Sequence, residues 1–247
     1  MTEVTILPDE RVDELQLADM HILQKQRGFR FGMDAVLLAD FARIDPKAVV
    51  ADFGTGTGIL PMLLYGRGKG CRFEAFECQA DMADMALRSV KMNQLEHVIH
   101  IHPADVAAAA DLIAPGTLDA VICNPPYGIN GTTIRNPDDA RRVARHQSEE
   151  GIIGWFRMAH RLLKGKGKFA MVYPAPQMLQ AMKDLEAAHL APKRFRLIYP
   201  RADKPANLVL IEALKDAKPM LHPEPPLIVY EHDNQMTPEL RRIYHVE

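Results

Sequence analysis

A glycine-rich segment near residue 55 most strongly restricts the fold of this chain. The segment reads Asp52-Phe53-Gly54-Thr55-Gly56-Thr57-Gly58, and apolar runs lie on either side of it, at 48–51 and 59–64. This order predicts a buried strand, a turn whose glycines let the backbone approach a ligand, and a helix whose N-terminus faces that ligand. In the dinucleotide-binding motif two residues separate the second and third glycines, whereas one residue does so here. We therefore expect an α/β fold that binds a nucleoside-bearing cofactor of another kind.

Acidic residues follow the next two predicted strands. Glu77 ends the run 73–76, about nineteen residues beyond Gly58, and Asp105 follows the run 97–102. Ligands of open α/β sheets bind outside the carboxyl ends of the strands, where an acidic side chain can take ribose hydroxyls. We therefore expect Asp52, Glu77 and Asp105 to lie at one edge of the sheet.

The segment Asn124-Pro125-Pro126-Tyr127 follows the apolar run 118–123 and predicts a site for a planar amine. Both prolines fix φ near about −65° and lack an N–H group, so the carbonyl groups of Asn124 and Pro125 point away from the sheet. Together with the Asn124 amide oxygen, they could accept both hydrogens of an exocyclic amine while Tyr127 stacks on the ring. An ordinary Pro-Pro turn after a strand is the alternative that the tetrapeptide alone leaves open.

Taken together, these motifs resemble the class I S-adenosylmethionine-dependent methyltransferases that modify amino groups conjugated to a planar system. Among these enzymes, the bacterial tRNA1(Val) (adenine-37-N6)-methyltransferases are similar to this chain in the segments 10–15, 22–24, 29–41, 144–146, 199–200, 204–207 and 225–230. The chain departs from that family at Gln147, where the family usually has glutamate. The resemblance implies a Rossmann-like, seven-stranded mixed sheet, mostly parallel with the last strand antiparallel, and helices on both faces.

The resemblance also implies a role for each residue of the motifs. S-adenosylmethionine would be held by Asp34, Asp52, Gly54, Thr55, Gly56, Gly58, Glu77, Asp105 and Asn124. Within this set the glycine loop would take the methionine end, Glu77 the ribose and Asp105 the adenine amine. Asp34 would lie near the methionyl part, although it could instead cap a helix that starts at Ala35. Asn124, Pro125, Pro126 and Tyr127 would be the catalytic residues, acting on the N6 amine of adenine 37 in the anticodon loop of a valine tRNA.

Basic residues are concentrated in one part of the chain, although the net charge is −2. Residues 135–205 contain 15 Lys and Arg but only 7 Asp and Glu. Such a block can neutralise phosphates, so we expect an RNA substrate, and the resemblance implies tRNA. A solvated helix face with loop lysines is the alternative for any single one of these residues. The candidate nucleic-acid-binding residues are Arg135, Arg141, Arg142, Arg145 and Lys204. The first four lie in a polar stretch, 128–147, that predicts a long loop.

Composition favours one cytoplasmic domain. A chain of 247 residues with 47% apolar composition can bury one large core, with an entry segment 1–48 packed on a methyltransferase domain 49–247. Acidic residues near Met1 and the lack of a run of eighteen apolar residues indicate no signal peptide and no membrane partner. Three cysteines without metal-type spacing predict core thiols rather than disulfides or a metal site. Either a monomer or a homodimer is compatible with these features.

Other functions remain open from the sequence. Glutamine-N5 methylation of a protein such as a release factor would use the same Asn124 turn on an amide. Those enzymes normally carry a separate helical N-terminal domain, for which about 48 residues leave little room. A non-catalytic RNA-binding module would not need the intact glycine loop and tetrapeptide. A dehydrogenase is disfavoured by the glycine spacing.

Overall fold

Two layers of helices cover the opposite faces of one large β-sheet. The computed structural model describes residues 2–26, 32–125 and 151–246. The strands of this part are β1 (Glu10–Glu14), β2 (His21–Lys25), β3 (Val49–Phe53), β4 (Arg72–Phe76), β5 (Ile99–His102), β6 (Leu118–Cys123), β7 (Leu163–Pro174), β8 (Leu190–Tyr199), β9 (Leu208–Lys215), β10 (His222–Pro223) and β11 (Leu227–Ile228). The helices are α1 (Met33–Phe41), α2 (Ile59–Gly66), α3 (Ala80–Met92), α4 (Ala109–Leu112), α5 (Ile152–Leu162), α6 (Met178–Ala187) and α7 (Pro238–Tyr244).

The large sheet has the strand order β10-β8-β9-β7-β6-β3-β4-β5, and β11 also pairs with β8. The strands β3 to β7 run parallel, whereas β9 runs antiparallel to both β7 and β8. The seven strands β3 to β9 therefore form the mixed sheet that the sequence predicts, with one antiparallel strand. This confirms the predicted fold class, and the two short strands β10 and β11 extend one edge.

Successive residues of the central strands pack into two different cores. Val50 of β3 packs in the core that contains α1, α2 and α3, whereas the next residue, Ala51, packs in the core that contains α5 and α6. This alternation follows from the pleat of a strand, which points successive side chains to opposite faces. Helix α5 completes the second core with a buried stripe of Trp155, Phe156, Ala159 and Leu162.

The basic, glycine-rich run 164–168 follows α5, which ends at Leu162, and belongs to β7, which begins at Leu163. Only Leu163 and Lys168 of this stretch pair with β6, and the register shifts between them. Lys166 has a φ of 63°, so the run bulges out of the ladder before the regular part of β7 begins.

The prediction that all three cysteines are core thiols was wrong. Cys123 is buried, but Cys78 is only partly buried and Cys71 is exposed.

The N-terminal hairpin of β1 and β2 lies against α3. Arg88 of α3 donates to both carboxylate oxygens of the buried Glu10, at 2.6 and 2.7 Å. The backbone N–H of Leu23 donates to Ser89 Oγ at 2.9 Å. These bonds tie the entry segment to the sheet through α3, while the division of the chain at residue 48 stays a prediction. Among the described residues, no helix combines the length and the apolar character needed to cross a membrane.

Candidate active site

Four neighbouring parallel strands end in register at one edge of the sheet. Phe53 pairs with Cys123 on one side and with Phe76 on the other, and Phe76 pairs with His102. The predicted site residues follow these strand ends: Gly54, Glu77 and Asn124 come directly after their strands, and Asp105 comes three residues after His102. The four segments are thus brought to one edge, as the carboxyl ends of parallel strands require.

The glycine loop has a backbone conformation that residues with a side chain rarely adopt. Gly54, Gly56 and Gly58 have φ angles of 71°, 60° and 87°, in the left-handed region that favours glycine. A Cβ atom on Gly54 would lie only 2.8 Å from Cη2 of Trp155. Trp155 also packs edge-on against Phe53, with ring centroids 6.3 Å apart. The sequence did not predict the contact of Trp155 with the loop; its only signal was that Trp155 is the single tryptophan of the chain.

Glu77 is buried and connects the end of β4 to the glycine loop. Its Oε2 accepts from the backbone N–H of Gly56 at 2.9 Å. Its Oε1 accepts from the backbone N–H of Gln79 at 2.9 Å, at the start of α3. A carboxylate has about four acceptor positions, so these bonds leave Oε2 able to accept once more. Glu77 therefore shapes the loop and can also receive a ligand hydroxyl.

Asp52 is fully buried beneath the same loop. Neither carboxylate oxygen has a hydrogen-bond partner among the described residues, and the same holds for the hydroxyls of Thr55 and Thr57. Burial raises the pKa of Asp52 to about 7; the nearby Thr55 hydroxyl, although not in hydrogen-bonding geometry, opposes this rise, and the negative charge of Glu77 adds to it. A buried carboxyl group without a partner is costly, which makes this position suited to a cationic ligand group.

Asp105 borders a cavity of about 310 Å³. Its Oδ1 accepts from the backbone N–H of Ala107 at 2.8 Å and caps the short 3₁₀ turn that follows β5. The opposite wall is helix α5. The cavity is lined by Asp105, Val106, Ala107, Gly154, Trp155, Arg157, Met158 and Arg161. Its size and its partly apolar lining can accommodate a flat ring system.

Asn124 contacts Asp34 from the other side of the site. Asn124 Nδ2 donates to Asp34 Oδ2 at 3.0 Å. Helix α1 begins at Met33 rather than at Ala35, so Asp34 is its second residue and not its cap. Pro125 is buried. Pro126, Tyr127 and the loop 128–147 lie outside the described residues.

The matches to known proteins agree with this geometry. Residues 33–189 match the family model described as the methyltransferase small domain. This chain belongs to that family. A tRNA1(Val) (adenine(37)-N6)-methyltransferase from Tolumonas auensis is 30% identical over 220 residues, which are 89% of this chain and 90% of the relative. A protein of the same name from Actinobacillus succinogenes is 26% identical over the same shares.

The fold of this methyltransferase is also similar to solved structures. A predicted O-methyltransferase from Agrobacterium tumefaciens superposes with a TM-score of 0.67 at 24% identity, covering 86% of this chain and 96% of that protein. This similarity supports the class I methyltransferase fold.

The described basic residues of this methyltransferase do not form a single surface. Lys204 is exposed in the connection between β8 and β9, at the edge where Asn124 leaves the sheet. Lys166 lies near the start of β7, at the opposite edge. Arg194 is buried and pairs with Glu212, with Nε and Oε1 3.0 Å apart. The other candidate RNA-binding residues, Arg135, Arg141, Arg142 and Arg145, lie outside the described residues.

Proposed function

We propose that this methyltransferase transfers a methyl group from S-adenosylmethionine to N6 of adenine 37 in tRNA1(Val). The observation that carries the proposal is the pairing of Phe53 with Cys123, because it brings the exits of Gly54 and Asn124 next to each other. The glycine loop that would bind the cofactor then lies beside Asn124, whose amide oxygen would accept from an aromatic amine. The names of the two relatives, which align with 89% of this chain, support this choice of base and RNA.

The described residues fit S-adenosylmethionine. The orphaned oxygens of Asp52 suit the cationic amino group of its methionine part, directly or through a water molecule. The loop of Gly54, Thr55, Gly56 and Gly58 would take the methionine end, Glu77 the ribose hydroxyls and Asp105 the adenine amine. When bound, S-adenosylmethionine supplies an electrophilic methyl group on a positively charged sulfur.

Asn124 would act by positioning the target amine. The lone pair of an aromatic amine is delocalised into the ring, which makes the amine a poor nucleophile. If Asn124 Oδ1 and the Pro125 carbonyl accept its two hydrogens, the nitrogen becomes pyramidal and its lone pair points at the methyl group. This contribution is geometric and electrostatic rather than acid–base chemistry. Stacking of Tyr127 on the base stays a prediction.

The substrate base must leave its stack to reach such a site. Adenine 37 lies in a single-stranded anticodon loop, so unstacking costs a few kcal/mol or less. Lys204 is exposed at the same edge of the sheet and would contact a phosphate of that loop.

The test is to map N6-methyladenosine by mass spectrometry in tRNA1(Val) from cells with and without this gene. We expect the modification at position 37 to disappear with the gene and to return when purified protein and S-adenosylmethionine are added to the unmodified tRNA. Full-length tRNA is tested before an anticodon stem-loop, since a small domain makes few phosphate contacts. If no RNA is methylated but a release factor gains N5-methylglutamine, the protein modifies glutamine instead.

A further inference from the structure

The carboxylate of Asp34 is held from two sides at the start of α1. Its Oδ1 accepts from the backbone N–H of Ala35 and its Oδ2 accepts from Asn124 Nδ2, both at 3.0 Å. A Cβ atom on Gly32 would lie 2.7 Å from Asp34 Oδ1. Because Gly32 has no side chain, the Asp34 carboxylate can occupy this position without a steric clash.

We propose that Asp34 is a positioning residue that orients the Asn124 amide and makes its oxygen a stronger acceptor. The inference rests on the proposed function, because the acceptor is the one that would meet the adenine amine. It assigns to Asp34 a contact with the catalytic amide rather than the contact with the methionyl part that the family resemblance implies.

The contact with Asp34 fixes the orientation of the Asn124 amide. The Nδ2 group of Asn124 donates to a carboxylate, which only accepts hydrogen bonds, so the amide cannot turn its oxygen toward Asp34 without losing this bond. The amide oxygen is thereby directed to the other side of the Asn124 side chain. This fixes which end of the amide meets the substrate.

The same contact polarises the Asn124 amide. A negative charge that accepts from an amide N–H draws positive charge to the nitrogen side and shifts electron density toward the oxygen. Hydrogen bonds connected in this way strengthen one another in a low-dielectric site. Asp34 and Asn124 are both half-buried, so the bond between them is partly shielded from water. The N-terminal end of α1 stabilises the charge on Asp34.

The polarised amide oxygen favours the methyl transfer itself. The N6 lone pair forms the new N–C bond while the S–CH₃ bond breaks and its electron pair stays on sulfur. Positive charge passes from sulfur to N6, which then loses a proton to water. A more negative Asn124 oxygen stabilises that developing charge through the N6 hydrogen that it accepts. The benefit exists mainly in the transition state, so it should raise turnover rather than binding.

The experiment is Asp34→Asn in the full-length protein, assayed by single turnover on tRNA1(Val). We expect turnover to fall roughly 10- to 100-fold, whereas affinities for S-adenosylhomocysteine and for tRNA change less than about threefold. Asn124→Ala and the double variant should be equally slow, since Asp34 acts through Asn124. Asp40→Asn, at the other end of α1 where Asp40 pairs with Arg67, is the matched control and should keep wild-type turnover.

Two further measurements do not depend on turnover of the variant Asp34→Asn. The side-chain amide signal of Asn124, assigned by its loss in Asn124→Ala, should move to higher field in the NMR spectrum of Asp34→Asn. Gly32→Ala should displace the carboxylate while keeping its charge, and should also slow turnover. An unchanged Asn124 signal, or a cofactor affinity that falls as much as turnover does, overturns the inference. Absence of any RNA methylation by the wild-type protein would instead overturn the proposed function.

Discussion

Oε2 of Glu77 accepts a hydrogen bond of 2.9 Å from the backbone N–H of Gly56. The bond joins the end of β4 to the middle of the glycine loop that follows β3. The same carboxylate accepts from the N–H of Gln79, where α3 begins. An acid expected to bind a ribose is therefore also part of the support of the loop, and its removal should affect both binding and stability.

Replacing Glu77 with Ala should weaken S-adenosylmethionine and S-adenosylhomocysteine alike, because both carry the same ribose. Lost charge-assisted hydrogen bonds correspond to about 1.5–3 kcal/mol, or roughly 10- to 150-fold in affinity. The melting temperature should also fall, since two backbone N–H groups lose their acceptor. Titration calorimetry and thermal unfolding measure these effects, with the exposed Glu96→Ala as control. Unchanged binding of both compounds would place the ribose elsewhere.

Gly54→Ala should be more harmful than the same change at Gly116. Both glycines have φ near 70°, where a side chain costs roughly 1–2 kcal/mol. Only at Gly54 would the added Cβ also meet Trp155, whereas nothing in the described part of the chain lies within 4 Å of that position at Gly116. Urea unfolding should therefore show a larger loss for Gly54→Ala, together with loss of S-adenosylhomocysteine binding. Equal losses for the two variants would contradict the close contact between the loop and Trp155.

Cofactor binding should release a proton from Asp52 at pH 6. Its pKa of about 7 in the free protein means that Asp52 is mostly protonated there. A bound ammonium group favours the carboxylate, so affinity should fall by up to about tenfold for each pH unit below 7. Calorimetry with S-adenosylhomocysteine in two buffers of different ionisation enthalpy counts the released protons, and Asp52→Asn should abolish the release. No release from the wild-type protein would show that Asp52 does not face the amino group.

The same group affects the stability of the free protein in a defined direction. The folded state holds the Asp52 proton more tightly than the unfolded state does, because burial raises its pKa to about 7. Asp52 therefore contributes most to stability below its usual pKa of 3.8, and this contribution is lost as the pH rises to about 7. In Asp52→Asn, denaturant unfolding should show less decline of stability over this pH range.

Lys204→Ala should reduce the salt dependence of tRNA binding. One lost phosphate contact lowers the slope of log affinity against log salt by about 1. Lys166→Ala removes the same charge at the opposite edge of the sheet and should leave the slope unchanged. Affinities measured between about 50 and 200 mM salt decide the matter. Equal slopes for Lys204→Ala and the wild-type protein would remove Lys204 from the RNA-binding surface.

Local patterns in the sequence predicted most elements of the fold. The apolar run 118–123 is β6, the run 73–76 lies in β4, and the run after Gly58 is α2. These patterns suffice because a strand or an amphipathic helix exposes its periodicity within a few residues. The order of these elements, with polar residues after successive strands, also predicted the edge at which Gly54, Glu77, Asp105 and Asn124 meet.

Contacts between distant segments could not be obtained from such patterns. The sequence placed Asp34 near a cofactor or at a helix cap, but the structure joins it to Asn124, ninety residues away. Trp155 beneath Gly54 and the orphaned carboxylate of Asp52 likewise depend on how α5 and the loop pack together. Basic residues that lie close together in the sequence, within 135–205, are also far apart in the fold: Lys204 lies at the active-site edge of the sheet and Lys166 at the opposite edge. Local propensity and periodicity act over a few residues, whereas these partners are chosen by strand order and packing, which only the tertiary structure decides.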